Sequence, residues 1–224
     1  PRRFTAGPRD SAPRFSPDGS LLAFLRVGEK DGKRQPPQLH LIPLWGGDPR
    51  AITDLPKGAS AAVFSPDGKT IAFTSSTTDE DIRLAKNPPR DAAKESDVRV
   101  ITRAVYRANG GGDNDPTRKA QIYAVTLSDG SATDPRRVSN DAFGAAGPTF
   151  SKDGATIYYR SLHVKEAYYE DTRSQIWTVP AAGGESKLAF EFEGGIGDFE
   201  FSPDGSRLAF SGSKNMMGSP HRFL

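Results

Sequence analysis

One five-residue phrase, Phe-Ser-Pro/Lys-Asp-Gly, recurs four times, at residues 15–19, 64–68, 150–154 and 201–205. Each copy separates two short apolar runs. Pro17 presets φ for the first corner of a type I turn. Asp18 suits the second corner and bonds back to the local backbone. Gly19 supplies the left-handed residue that lets two strands pair after the turn. Pro66-Asp67-Gly68 and Pro203-Asp204-Gly205 repeat the pattern, and Lys152-Asp153-Gly154 keeps its later corners. Each phrase therefore reads as the tip of a β-hairpin, which commits the chain to repeated antiparallel sheets.

The strand after each tip is alike in all copies. Five residues past the glycine stands an aromatic: Phe24, Phe73, Tyr159 or Phe210. The residues before it are Leu22-Ala23, Ile71-Ala72, Ile157-Tyr158 and Leu208-Ala209. Neighbouring residues are apolar instead of alternating, so this strand is expected to be buried on both faces. Such strands at a fixed interval imply sheets stacked on one another.

The phrase recurs after 49 residues (15 to 64), 86 (64 to 150) and 51 (150 to 201). A second landmark locates the excess. Gln38-Leu39-His40, Gln121-Ile122-Tyr123 and Gln175-Ile176-Trp177 read as one strand in three repeats. The distance from the phrase's glycine to this Gln is 19, 53 and 21 residues, so the second repeat carries an insertion at about 77–119. A turn and a fourth segment follow each Gln strand, at 50–53, 136–139 and 187–190. Four strands in about 50 residues is the pattern of a propeller blade. The expected fold is all-β: an incomplete propeller of four-stranded antiparallel blades, three full and half of a fourth. Repeats start near 11, 60, 146 and 197, and a tail covers 215–224. With the fourth repeat halved, the blades should form an open arc, with apolar end faces around Phe15/Phe24 and Phe201/Phe210.

Composition agrees. Gly (23) and Pro (18) favour turns and short strands over long helices. The 30 basic and 28 acidic side chains are interspersed, without the Lys/Arg block that tracks nucleic acid. Cysteine is absent, which excludes disulfides and thiolate metal sites. No apolar run reaches membrane-span length and no signal-peptide pattern opens the chain, so a cytoplasmic location is expected. A start at Pro1 without Met suggests processing or a fragment of a longer chain.

Within the insertion, residues 79–97 are charged around Pro88-Pro89 and read as a surface excursion with short helical turns. Residues 98–107 are strand-like, and 109–116 form a Gly/Asp/Asn loop. The insertion joins the second and third strands of its blade. It therefore rises from the rim that also carries the connections between blades.

The landmarks Phe-Ser-Pro-Asp-Gly, Leu-Ala-Phe and Gln-Ile-Tyr/Trp resemble the propeller repeats of prolyl oligopeptidase-family serine peptidases. They also resemble those of Tol-type propellers. The segment Val100-Ile101-Thr102-Arg103-Ala104-Val105-Tyr106-Arg107-Ala108-Asn109-Gly110, followed by Gln121-Ile122-Tyr123, looks like the acylaminoacyl-peptidase branch. That resemblance implies a propeller joined to an α/β-hydrolase domain that carries Ser, Asp and His. The hydrolase elbow needs Gly-x-Ser-x-Gly, and this chain has none. The nearest stretch, Gly58-Ala59-Ser60-Ala61-Ala62, lacks the second glycine. No catalytic residue is assigned within the chain.

Among single residues, Arg103, Tyr106 and Arg107 are the candidate substrate-binding group, since a guanidinium at that rim can hold a peptide carboxylate through paired hydrogen bonds. His40 shares the position of Tyr123 and Trp177 and reads as packing, and Trp45 and Phe143 read the same way. Three scattered histidines make no metal site. Asp113-Asn114-Asp115 lacks the glycine and distal Glu of a calcium loop, and Gly110-Gly111-Gly112 lacks the Lys-Ser/Thr of a phosphate loop. No cofactor is expected. The leading functional expectation is a non-catalytic propeller that gates a serine peptidase by size and helps form the cavity for short peptides. Its partner would be the hydrolase domain of the same protein, with oligomers forming through exposed blade faces. The alternative is a stand-alone Tol-type interaction propeller. A metal-dependent lactonase propeller is disfavoured by the missing ligand cluster.

Overall fold

The computed structural model describes residues 4–5, 7–88, 107–108, 112–113, 118–128, 131–163 and 173–214. The first sheet contains β1 (Asp10–Phe15), β2 (Leu21–Arg26), β5 (Gln38–Pro43) and β6 (Arg50–Ala51) in that order. A small ribbon, β3 (Glu29–Lys30) with β4 (Lys33–Arg34), hangs from its middle loop. The second sheet is built from β7 (Ser60–Phe64), β8 (Thr70–Ser75) and β11 (Gln121–Ser128). Its outer edge is shared by β12 (Ser131–Ala132) and β13 (Arg136–Arg137). Between β8 and β11 lie α1 (Asp79–Lys86) and a ribbon of β9 (Arg107–Ala108) and β10 (Gly112–Asp113). The third sheet runs β14 (Ala146–Phe150), β15 (Thr156–Ser161), β16 (Ser174–Pro180), β17 (Lys187–Phe192). The fourth is only β18 (Gly194–Phe201) with β19 (Leu208–Lys214). The expected architecture is present: three four-stranded blades and half of another, all antiparallel.

The hairpin tips follow from local chemistry. In the first, the Gly19 amide donates to the Ser16 carbonyl at 2.9 Å and closes the turn. The Asp18 carboxylate accepts from the Ser20 amide and hydroxyl and from the Ser16 hydroxyl. The Ser16 hydroxyl oxygen in turn accepts from the Leu21 amide. Ser65/Asp67, Ser151/Asp153 and Ser202/Asp204 repeat the arrangement. The four tip glycines have φ between +67° and +73°, a region where a Cβ is strained. The conserved chemistry of the phrase is therefore an aspartate and a serine that pair the amides a two-strand turn leaves open.

The core lies in the seams between blades. Ala23, Leu25, Leu39 and Leu41 meet Phe64, Ile71, Phe73 and Tyr123 in the first seam. Ala72, Ile122 and Ala124 meet Phe150, Ile157, Tyr159 and Val179 in the second. Ile176 meets Ile196 and Phe199 in the third. Small residues on one blade receive large ones from the next, so each middle blade buries both faces. A fully buried Leu, Ile or Phe contributes about 1.5–3 kcal/mol, which makes these seams the main source of cohesion.

The first and fourth blades share no paired strands among the described residues, so the set is an open arc. Its ends are unequal. Phe15 is 64% exposed and Trp45 78% exposed at the first blade, so Trp45 is not the packing residue the sequence suggested. Phe24 is nevertheless buried, capped by the His40 ring at 5.6 Å and by the Arg26 guanidinium at 5.1 Å. At the other end, β19 is largely exposed, against the expectation that every such strand is buried on both faces. Among the described residues it has a neighbouring blade on one side only.

Two features were not expected. The fourth segments of the first two blades pair over only two residues each, β6 and β13. The first strand of each blade also breaks register, at 11–14, 60–63, 146–149 and 196–199. In the first two blades Ala12 and Ala61 sit at these bulges with φ of +50° and +48°.

Candidate functional site

Antiparallel order fixes which loops share a rim. The Asp-Gly tips lie on one side. The loops between second and third strands, and the connections from blade to blade, lie on the other. The two feet of the insertion, the connection at 138–145 and residues 162–163 after β15 therefore meet on one rim, and two side-chain clusters occupy it.

The first cluster ties the base of the insertion. Thr78 caps α1: the Asp81 amide donates to the Thr78 hydroxyl at 3.1 Å. The Thr78 amide and hydroxyl return bonds of 2.8 Å to the Asp81 carboxylate. This reciprocal pairing is the capping box, here with Asp in place of Glu. Arg118, from the far end of the insertion, donates to the same carboxylate oxygen, and the Lys57 ammonium lies 4.0 Å from the other. Both feet of the insertion thus converge on one buried acid. Burial pushes the Asp81 carboxyl up, but the Thr78 and Arg118 hydrogen bonds outweigh it, and its pKa lies below the usual value. Beneath, the Tyr123 hydroxyl donates to the Thr77 carbonyl at 2.7 Å, and the Ser75 hydroxyl donates to the Gly58 carbonyl at 2.6 Å.

The second cluster is centred on Asp141, at the seam of the second and third blades. Its carboxylate accepts from Tyr159 (3.2 Å) and the Phe143 amide (2.8 Å), and His163 Nε2 lies at 2.9 Å. The His163 ring is stacked between Phe143 (4.5 Å) and Trp177 (4.0 Å). Gln121 holds the backbone of Asp141 from both sides: its Nε2 donates to the carbonyl (2.6 Å) and its Oε1 accepts from the amide (2.9 Å). Burial first, then the Asp141 charge and hydrogen bond, push the Tyr159 phenol up to about 12, so it stays a neutral donor at neutral pH. A cavity of about 390 Å³ opens beside Asp141, Phe143, His163 and Trp177.

An Asp–His pair is half of a hydrolytic triad. Here no Ser or Thr hydroxyl bonds the second ring nitrogen among the described residues, and aromatic rings cover both faces. The pair can orient a loop but has no nucleophile to activate. Ser60, in the stretch nearest to a hydrolase elbow, lies at the start of β7 with its hydroxyl 2.6 Å from Thr74. It is a strand residue without a base.

Of the three residues singled out for substrate binding, Arg103 and Tyr106 lie outside the described residues, as does most of the strand-like 98–107 segment. Arg107 lies in β9 opposite Asp113, so part of the supposed Gly/Asp/Asn loop is paired backbone. His40 packs as its repeat position implied, and Phe143 packs on His163. Sequence reading missed the Asp81–Arg118 clamp and the Asp141–His163 pair. One signal was available: a Gln at the start of the third strand in each of the three full blades. Gln38 performs in the first blade what Gln121 performs in the second, pairing the Leu55 amide and carbonyl and the Thr53 hydroxyl.

No protein-family model matches the chain. It is 32% identical to YuxL, an uncharacterised peptidase of Bacillus subtilis (strain 168), over 152 residues, which is 67% of this chain and 22% of that protein. The fold matches a putative TolB of Agrobacterium tumefaciens with a TM-score of 0.55 at 20% identity, covering 93% of this chain and 57% of that one. It also matches the β-propeller domain of the Trilobed protease of Pyrococcus furiosus, described as having an open velcro topology. That TM-score is 0.54 at 13% identity, over 92% of this chain and 50% of that one. The chain thus spans about a fifth of the peptidase relative's length and about half of each propeller. Sheets, seams and matches define a segment of a β-propeller. Together with the sequence relationship to a peptidase, they support the reading of the chain as a propeller portion similar to those of prolyl oligopeptidase-type peptidases.

Proposed function

We propose that this propeller is the non-catalytic part of an acylaminoacyl-peptidase-like serine peptidase. In that role it restricts the catalytic centre to short peptides by size and helps to wall the substrate cavity. The observation that carries the reading is the 32% identity to a peptidase over 152 residues of a chain that folds as propeller blades and has no Gly-x-Ser-x-Gly elbow. The catalytic partner is an α/β-hydrolase domain of the same protein, and the location is the cytoplasm. Arg103, Tyr106 and Arg107 are assigned to substrate carboxylates, and the exposed blade faces around Phe15 and Phe210 to association between molecules.

Two measurements test this. A serine-directed fluorophosphonate should label nothing on the 224-residue chain, and stoichiometric labelling of one serine contradicts the assignment. In the full-length protein, Arg103→Gln and Arg107→Gln should raise KM for free-carboxylate peptides more than for their amides. Equal effects remove the carboxylate role.

A second reading has one observation in its favour: the putative TolB covers nearly all of this chain. A stand-alone interaction propeller would hold a partner's peptide at its central opening. Sequencing past Leu224 separates the two, since only the peptidase requires Gly-x-Ser-x-Gly downstream.

A further inference from the structure

We propose that the two ends of the arc join head to tail between two copies of this chain, the fourth blade of each copy lying against the first blade of the other. The proposal rests on the reading above that exposed blade faces associate. It adds the partner, the orientation and the contacts.

The seams within the chain have a direction, and the two ends carry its opposite halves. In the first seam Phe64 of the later blade joins one cluster with Ala23 of the earlier blade. In the second, Phe150 joins Ala72 in the same way. Each alanine stands four residues past a tip glycine, each phenylalanine opens the next tip, and all four are buried. At the ends of the arc this pair is split. Phe15, which opens the first tip, is 64% exposed, and Ala209, four residues past the last tip glycine, is exposed. The first blade thus presents the large half of a seam and the fourth blade the small half. Two copies of the same end do not match, which selects a head-to-tail contact over an isologous one.

The tips carry the same polarity. A Cβ on Gly68 would lie 3.5 Å from the Pro17 ring, and one on Gly154 3.5 Å from the Pro66 ring. Gly205 stands against Lys152 in the same way, at 2.8 Å. Each of these glycines therefore packs on the third residue of the phrase one blade earlier. At Gly19 a Cβ would meet nothing within 4 Å. Pro203 is exposed, with no later tip beside it among the described residues. Pro203 of one copy on Gly19 of the other continues the row.

The extent of the open surface fits as well. First strands of successive blades approach one another, β1 to β7, β7 to β14 and β14 to β18, and so form the inner edge of the arc. Further out on the end face of the first blade, Leu22, Phe24 and Ile42 are already buried, with the His40 ring and the Arg26 guanidinium over Phe24. What stays open is β1 and its tip. The fourth blade consists of an inner hairpin alone among the described residues, which is the piece that covers such a strip. Each copy brings four inner hairpins and two copies bring eight. Closed propellers usually have about four to eight blades, so the contact closes as a dimer instead of running on as a filament.

The test is sedimentation equilibrium of the 224-residue chain, followed by cross-linking, which the absence of cysteine makes site-specific. The wild-type chain should form a reversible dimer. Phe15→Glu and Ala209→Glu should each weaken it about tenfold or more. Both should keep the melting temperature, because both side chains are exposed. Trp45→Glu, also exposed but on the turn between β5 and β6, should leave the dimer unchanged. Orientation is read by mixing a Ser20→Cys chain with a Pro203→Cys chain and adding a short bismaleimide. The mixture should yield linked pairs, and neither chain alone should. A chain with both Pro17→Cys and Lys69→Cys carries the same two tip positions across an existing seam, and should link within itself as the positive control. A monomer at every concentration, assemblies larger than a dimer, links between identical chains, or dissociation by Trp45→Glu and not by Phe15→Glu overturns the proposal. The peptidase reading is scored separately, by active-site labelling and by the kinetics of the full-length protein, and either result can fail alone.

Discussion

Phe73 and Phe210 occupy the same place in their blades, five residues past a Ser-Pro-Asp-Gly tip, within almost the same sequence. Phe73 is 0% exposed and Phe210 39% exposed. The tips before them are bonded alike, Ser65 to Asp67 and Ser202 to Asp204. The difference lies in what surrounds the hairpin. β8 is flanked within its sheet by β7 and β11 and lies between two other blades, whereas among the described residues β19 pairs only with β18 and has one blade beside it. Phe210 touches Phe190 and Phe192 at its edge, with ring centroids 6.3 and 5.1 Å away. A blade's sequence therefore sets its hairpin, and its neighbours set its stability.

The largest expected effect follows directly. Phe73→Ala should destabilise by about 3–5 kcal/mol, the usual cost of deleting a fully buried Phe. Phe210→Ala should cost less than about 1.5 kcal/mol, because much of its ring already meets solvent. Urea unfolding of both variants measures the pair, and equal losses would break the comparison.

The glutamines give a second contrast. Gln121 pairs the Asp141 amide and carbonyl and the Ser139 hydroxyl, all buried. Gln175, at the same repeat position, bonds Glu191, the Trp177 indole and the His163 amide near the surface. The cause is one residue: where the first two blades have Thr53 and Ser139, the third has Phe190. Removing Gln121 with Gln121→Ala orphans three buried groups and should cost about 2–3 kcal/mol. Gln175→Ala should cost about 1 kcal/mol or less. The same unfolding assay reads both.

A smaller effect of opposite sign is expected at Ala61. A left-handed conformation costs a non-glycine residue about 1–2 kcal/mol. Ala61→Gly should therefore stabilise by about 1 kcal/mol, seen as a higher urea midpoint. The equivalent bulge in the third blade already has Gly147, with φ of +60°, so Gly147→Ala should destabilise there.

The smallest effect should not distinguish core from end blades at all. Hydrogen bonds first from Ser16 and Ser202, then from Ser20 and Ser206, hold Asp18 and Asp204 to about 2, while Asp67 and Asp153 are lowered for the same reason. An unfolded Asp titrates near ~3.9. The unfolded chain then binds the proton more tightly. The tips' contribution is complete above pH 4 and is lost as pH falls from about 4 to about 2. Asp18→Asn and Asp204→Asn should each flatten the pH dependence of the urea midpoint in that window, by similar amounts.

Legibility in the sequence follows the range of the interactions. The tips were readable because every bond in them spans at most five residues. Blade count and the place of the insertion were readable from the spacing of those tips. The exposure of β19 was not, since it depends on a missing neighbour and not on its own residues. Nor were Ala12 and Ala61, which carry no glycine to announce a bulge. Asp141 and His163 are separated by 22 residues and come together only when two blades pack. Asp81 and Arg118 are 37 apart, at the two feet of an insertion whose intervening sequence gives no register.

The central claim, that packing between blades and not the repeat itself sets local stability, is tested most directly by residue-resolved amide hydrogen exchange on the 224-residue chain. The account predicts slow exchange, near the global unfolding limit, at Ile71, Phe73, Ile122 and Ile157, and exchange at least a hundredfold faster at Ala209, Phe210 and Ser211. Protection of β19 equal to that of β8 would contradict it.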